Sequence, residues 1–301
     1  MKRFIQYTAI LGAVFTVLGF GTAGAARMNG ARWSQMHIER QNMVIPAIGH
    51  HRVHSHDVPF DAETGTSAGE GIKTFSAVHE LSVSLESGVL TMEYGDVDEI
   101  QVVCGEECAF GETVWSYVDG GEMTLEIYGR ENPGKKTEVR VIIPRGYVFG
   151  DVEMAVGAGS CTAPDLDAQE LDIDLAAGEI ILENMRVSSL AVDCAAGNVS
   201  CSGRVFGDVE VDCAAGNVVL LLNHDKNEFS YELEGAGGSI EIGDESFSGL
   251  AFSREFNHHA GKSMELQTVT GSIRVEFSPD ALPQDGKTGE NEAEKMMEYA
   301  E

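Results

Sequence analysis

Three aspartates, Asp174, Asp193 and Asp212, recur at a constant step of nineteen residues, each two positions ahead of an Ala-Ala-Gly triplet. If the segments that carry them are stacked strands, carboxylates at equivalent outward positions stand about 4.8 Å apart. Three such charges in a column repel. Water and salt screen them, one of them takes a raised pKa, or a divalent cation such as Ca2+ sits among them. A solvated acidic face is the plainer reading, because calcium-binding solenoids use a denser nonapeptide of Gly and Asp that is absent here. A second candidate for metal chemistry is the histidine cluster His50, His51, His54 and His56, next to Asp57. Imidazoles at that spacing can chelate zinc or nickel, but the surrounding segment has no strand or helix pattern to preorganise them.

Of six cysteines, Cys104 and Cys108 flank a short Gly-Glu-Glu loop and form the disulfide candidate. Cys194, Cys201 and Cys213 occupy positions that elsewhere hold Leu, Val or Ala, so they read as small buried hydrophobes. Catalytic signatures are missing where they would be expected. Gly261-Lys262-Ser263 has Phe256 where a phosphate-binding loop requires glycine, and neither a zinc-protease helix motif nor a nucleophile elbow occurs. The chain therefore reads as no enzyme, with no cofactor. A carbohydrate-active β-helix enzyme, working through outward carboxylates, is the minor alternative, and two facing acids in a groove would favour it.

The elements that position these residues are repeats. Leu171, Leu190 and Val209 coincide at the nineteen-residue step, as do Ile173, Val192 and Val211, then Leu175, Cys194 and Cys213. Beyond the turn, Ile180, Val199 and Val218 coincide too. Apolar and polar residues alternate on each side of the triplet, the period of a strand with one buried and one wet face. Looser copies surround Gly88, Gly159, Gly238 and Gly271, giving seven units. Glycines 178, 197 and 216 are expected to close the turn in a left-handed conformation. A unit of nineteen residues cannot bury its own apolar face, so units must stack. The expected fold is all-β: a β-solenoid, a β-helix-like stack of strand–Gly turn–strand coils, preceded by an N-terminal transmembrane or signal helix. The rival is a sandwich in which each Ala-Ala-Gly is a three-residue hairpin loop.

The chain carries 49 acidic against 20 basic side chains, a formal charge of −29, which repels nucleic-acid phosphates. Residues 4–26 carry no charge and follow Lys2 and Arg3. That length can span a bilayer as a retained anchor, while Ala23-Gly24-Ala25 also suits signal-peptide cleavage. Either outcome exports the remainder, as a membrane-anchored or a secreted domain. The segmentation is residues 1–26 signal or anchor, 27–73 linker, 74–278 β-repeat domain and 279–301 acidic tail. Within the repeat domain, residues 101–149 are strand-rich and expected to form the first layers.

With its uncharged N-terminal segment, its Leu-Ala-Val-Asp-Cys-Ala-Ala-Gly-Asn-Val repeats and the run Ser239-Ile240-Glu241-Ile242-Gly243, the chain resembles a bacterial family of β-strand-repeat proteins known as putative adhesins, a domain of unknown function. The resemblance covers roughly residues 75–278. It implies a β-solenoid at the cell envelope and supplies no catalytic residue. The expected role is a non-catalytic envelope or surface protein that mediates adhesion or binds a protein or surface glycan. The alternative is a membrane-anchored sensor of envelope signalling.

Overall fold

The computed structural model describes residues 62–69, 71–106, 108–129 and 136–278. The apolar segment 4–26, the cluster His50, His51, His54 and His56, and the tail 279–301 lie outside the described residues. Among the described residues no helix is long and apolar enough to cross a membrane.

The fold is all-β and built of rungs. Each rung is a strand in a first sheet, a turn, and a strand in a second sheet, with alternate side chains of both pointing into one shared core. Three rungs follow the nineteen-residue repeat directly. They are β11 (Asp167–Leu175) with the first half of β12 (Glu179–Cys194), the second half of β12 with β13 (Asn198–Val205), and β14 (Val209–Cys213) with β15 (Asn217–Leu222). Their registers match the sequence alignment residue for residue: Leu171 lies beside Leu190 and Leu190 beside Val209, while Ile180 lies beside Val199 and Val199 beside Val218. All these pairings are parallel. The hairpin sandwich is thereby excluded, since its strands would pair antiparallel across each Ala-Ala-Gly.

Five further rungs complete the stack. They are β3 (Glu80–Leu85) with β4 (Val89–Gly95), β7 (Glu122–Ile127) with β8 (Glu138–Pro144), β9 (Phe149–Val156) with β10 (Ser160–Pro164), β16 (Phe229–Gly235) with β17 (Ser239–Ile242), and β20 (Lys262–Thr268) with β21 (Ser272–Phe277). The β7/β8 rung is an eighth unit beyond the seven visible in the sequence. Its turn is longer, and Thr137 stands where the others have glycine: its carbonyl accepts the Val89 N–H at 2.8 Å.

Order along the stack differs from order along the chain at both ends. β3 lies between β7 and β9, so the second rung of the chain sits outside the first. At the other end β20 lies between β14 and β16, and β21 between β15 and β17, so the last rung is slotted inside the one before it. Antiparallel strands close both ends. β6 (Val114–Asp119) pairs with β7 and β5 (Ile100–Cys104) with β8, while β19 (Phe252–Phe256) pairs with β16 and β18 (Glu245–Ser248) with β17. The strand-rich stretch after residue 101 thus supplies the outer layers of one end. Ahead of it, β1 (Thr66–Gly69) and β2 (Ile72–Phe75) form a hairpin that adds to β5. β1 and the start of β2 therefore fall inside the stretch read as linker. β1 is exposed along its whole length, so no apolar alternation marked it.

The glycines of the turns form a column, for a reason other than the expected one. Gly178, Gly197 and Gly216 are absent from the positive-φ glycines, so a left-handed backbone does not select them. Close stacking does. A β-carbon on Gly178 would lie 2.1 Å from the Gly159 carbonyl oxygen, one on Gly197 2.5 Å from that of Gly178, and one on Gly216 2.5 Å from that of Gly197. Those carbonyls are engaged, because Asn198 N donates to Gly178 O at 3.1 Å and Asn217 N to Gly197 O at 2.9 Å. Neighbouring alanines do likewise, with Ala196 N donating to Ala176 O and Ala215 N to Ala195 O. The triplets are thus one hydrogen-bonded ridge. On the opposite side β12 bends at Asn184, whose φ is +55°. There Arg186 makes a two-pronged ion pair with the buried Asp167, and the Tyr94 hydroxyl accepts the Asp167 N–H at 3.3 Å and donates to Tyr147 O at 3.0 Å.

Candidate functional site

With identical registers inside, chemistry is left to the outward positions. On the first sheet these form rows of carboxylates. One row runs Glu153, Asp172, Ala191, Glu210, Glu265, Glu232 in adjacent pairs. The next runs Glu126, Ser84, Ala155, Asp174, Asp193, Asp212, Gln267, Glu234. A third brings Glu80 beside Glu122 and Asp151 beside Glu170. No lysine or arginine occupies any of these positions. The expected column Asp174, Asp193, Asp212 is therefore real and belongs to a larger acidic face. Crowding shows in protonation: burial first, then Asp172, Glu170, Glu80 and Glu153, push Asp151 up to about 6. Burial, Glu210 and Glu265 push Asp212 up to about 6 as well.

Such a row does not converge on a point, whereas Ca2+ needs six to eight oxygens about one centre. Among the described residues no group of three or more His, Cys, Asp or Glu is placed to hold a metal ion.

The second sheet presents different chemistry. Its central row runs Thr91, Thr162, Ile181, Ser200, Val219, Arg274, Glu241. Beside it the Asn217 amide donates to the Asn198 carbonyl oxygen at 3.0 Å, and Leu221 is 40% exposed. Arg274 pairs with Glu241 at 2.9 Å. Hydroxyls, amides and aliphatic groups fill the middle of this row, while Arg140, Glu93, Glu138, Glu179, Glu183 and Glu276 give the rest of the face charges of both signs.

Sequence reasoning missed a polar cluster at the corner after β15. His224 is buried at 3% exposure. Its Nε2 accepts the Val205 N–H at 3.2 Å, so Nδ1 carries the proton and meets Glu228 Oε2 at 2.9 Å. Lys262 Nζ donates to the same carboxylate oxygen at 3.1 Å. Burial first, then the Lys262 charge, lower the His224 pKa. Burial pushes Glu228 up, but hydrogen bonds from the Asp225 N–H, Lys262 and His224 outweigh it and hold the carboxyl at about 2. The only hint in the sequence is a histidine that follows an apolar strand by two residues.

The disulfide expected between Cys104 and Cys108 is not formed: both are thiols, close enough to hydrogen-bond each other, with Cys108 Sγ directed at Glu138 O, 3.5 Å away. Cys161, Cys194, Cys201 and Cys213 are buried, as their positions in the repeat require.

A groove of about 560 Å³ opens where the first sheet meets the β18–β19 loop, lined by Asp212, Glu234, Gln267, Thr268, Phe252 and neighbours. It holds two acids, one with a raised pKa, which is the arrangement that would favour a glycosidase. Asp212 and Glu234 belong to the same row, separated by Gln267, and share one face.

A family model described as Toastrack DUF4097 matches residues 72–282. No curated protein matches the chain. Among solved structures the chain is similar to a putative cell adhesion protein from Clostridium sporogenes, at 13% identity over 69% of this chain and 98% of that one, with a TM-score of 0.35. It is similar also to a putative adhesin from Bacteroides fragilis, at 9% identity over 70% and 100% of the two chains, with a TM-score of 0.33. A third is a putative adhesin from Parabacteroides distasonis, at 13% identity over 69% and 95%, with a TM-score of 0.24.

Proposed function

The chain belongs to the Toastrack DUF4097 family, and from that premise we propose that it is a non-catalytic, adhesion-type protein of the cell envelope that binds a protein or surface glycan through the outer face of its second sheet. The observation that carries this reading is the contrast between the two faces. The centre of a protein interface is depleted of charge, because each carboxylate buried without a partner costs several kcal/mol of desolvation. The first sheet offers rows rich in carboxylates, interrupted by Ala191 in one and by Ser84, Ala155 and Gln267 in the next. The second offers Thr162, Ile181, Ser200, Val219 and the exposed Leu221 on a regular surface, with the Asn198–Asn217 amide pair alongside. Aliphatic groups supply area that can be buried, and hydroxyls and amides can exchange hydrogen bonds with a glycan or a peptide backbone. The uncharged residues 4–26 would deliver this face to the envelope, as anchor or as cleaved signal.

The test is cross-linking in living cells with substitutions on one face at a time. Val219→Lys together with Leu221→Asp is expected to reduce partner capture about tenfold or more, while Glu153→Gln with Glu210→Gln leaves it within about twofold. The opposite ranking overturns the assignment of the binding face.

A further inference from the structure

The fold sorts the six cysteines into two groups. Cys161 and Cys201 are wholly buried, and burial pushes both thiols up to about 12. Cys194 and Cys213 are 2% exposed, and their thiols donate to Gly197 O at 3.4 Å and Gly216 O at 3.2 Å along the glycine ridge. Thiols so enclosed are inert toward a dissolved reagent. Cys104 and Cys108 differ. Both are only half-buried, both lie against the edge of the core, and they are within hydrogen-bonding reach of each other.

Their surroundings hold the pair together. β5 ends at Cys104, which lies beside Val139 of β8 and whose N–H donates to Gly71 O at 2.8 Å. The chain then turns tightly, Cys108 N donating to Gly105 O at 3.2 Å, and Cys108 Sγ points at Glu138 O. Lys73, on the strand that pairs with β5, stands 4.7 Å from the centre of the Phe110 ring and near enough to Cys104 for their charges to interact. An ammonium beside a thiol favours the thiolate, the reactive form. The hydrogen bond with Cys108, then burial, push Cys104 up, so Cys104 keeps its proton and Cys108 ionises first.

We propose that Cys104 and Cys108 form a thiol–disulfide exchange site, a dithiol that a small dissolved disulfide oxidises to an intramolecular bond. The Cys108 thiolate attacks one sulfur of the oxidant; a mixed disulfide forms as the oxidant's S–S bond breaks, and the departing half takes up a proton. Cys104 then gives its proton to solvent and attacks the Cys108 sulfur, expelling the second half as a thiol. Two protein thiols are oxidised and one disulfide is reduced to two thiols. The new bond fastens the end of β5 to residues 109–113, which cross from the second sheet to the first and are otherwise held by Ala109 O, the acceptor for Thr113 N and Val114 N. The inference is independent of docking on the second sheet.

The test exposes the reduced, folded full chain to mixtures of reduced and oxidised glutathione, followed by acid quenching, maleimide labelling and peptide mass mapping. Two of the six thiols should disappear together, with Cys104 and Cys108 joined in one cross-linked peptide. Cys104→Ser should stop at a glutathione adduct on Cys108, and Cys108→Ser should react about tenfold more slowly. Lys73→Gln should slow oxidation several-fold and move its pH profile toward higher pH, a change that a purely structural lysine would not produce. Amide exchange over residues 109–113 should slow about tenfold on oxidation. Six free thiols at excess oxidised glutathione, oxidation only in urea, cross-links between chains alone, or reaction of the ridge cysteines first would overturn the proposal.

Discussion

The two outer faces are built on the same backbone, register and ridge of glycine turns, yet they differ in almost every outward side chain. The first sheet stacks like charges one strand apart, and burial first, then those neighbouring carboxylates, push two members, Asp151 and Asp212, up to about 6. The second sheet stacks hydroxyls, amides and aliphatics with the ion pairs Arg274–Glu241 and Arg140–Glu93 and scattered carboxylates such as Glu179 and Glu183. A repeat of this kind separates the two tasks. Inward positions and the glycine ridge hold the stack, and outward positions are free to vary. Folding therefore places few demands on either face, and the carboxylate rows must be tolerated at some cost or maintained for a use.

That comparison can be broken most severely at the ridge both faces share. Gly197→Ala sets a methyl 2.5 Å from Gly178 O and from Leu175 Cδ2. It should lower stability by about 3 kcal/mol or more in urea melts and disorder both faces together. Gly261→Ala, with nothing within 4 Å, should shift it by less than about 1 kcal/mol.

Next in size is the corner that joins the sheets. His224→Ala strips the buried Val205 N–H of its acceptor and should cost about 2–3 kcal/mol. The His224 pKa is lowered on folding, so the native state holds fewer protons than the unfolded one. Its contribution is complete above the ordinary histidine pKa of about 6.5 and declines as pH falls below it. The variant should lack that acid limb.

A smaller effect separates the faces themselves. Asp212 and Asp151 are raised on folding, so between about 6 and the ordinary aspartate value of about 4 the native state binds more protons, and stability from these groups rises as pH falls. Asp212→Asn should raise Tm by about 2 °C at pH 7.5 and by nothing at pH 4. Smallest of all, Arg274→Ala removes an exposed pair with Glu241 and should cost less than about 1 kcal/mol. A loss of several kcal/mol there would make the second face a structural element instead of a free surface.

Much of the fold was legible because its signal is repeated. Three copies of Ala-Ala-Gly with apolar residues at fixed offsets specify parallel stacking, and Asp174, Asp193 and Asp212 fell into their row for the same reason. The β7/β8 rung escaped because its turn is longer and Thr137 replaces glycine, although both strands were visible. Glycine was the right residue at the turns for the wrong cause, since carbonyl contact from the adjacent rung leaves no mark distinct from a left-handed turn. The groove and the His224 cluster were illegible. Thr268, Gly235 and Phe252 come together only because the last rung inserts between earlier ones, and His224 meets Lys262 across a long interval of sequence for the same reason.

The inversion of rung order at each end has a consequence for growth. A nineteen-residue module duplicated between Leu190 and Val209 would meet, above and below, rungs of its own shape, and would lengthen both faces by one row. The same duplication after Phe277 would find no open rung of that kind, because β21 is already enclosed between β15 and β17. Lineages of this protein should therefore differ in length through their middles, keeping both interlocked ends, with the surface they present scaling one strand at a time.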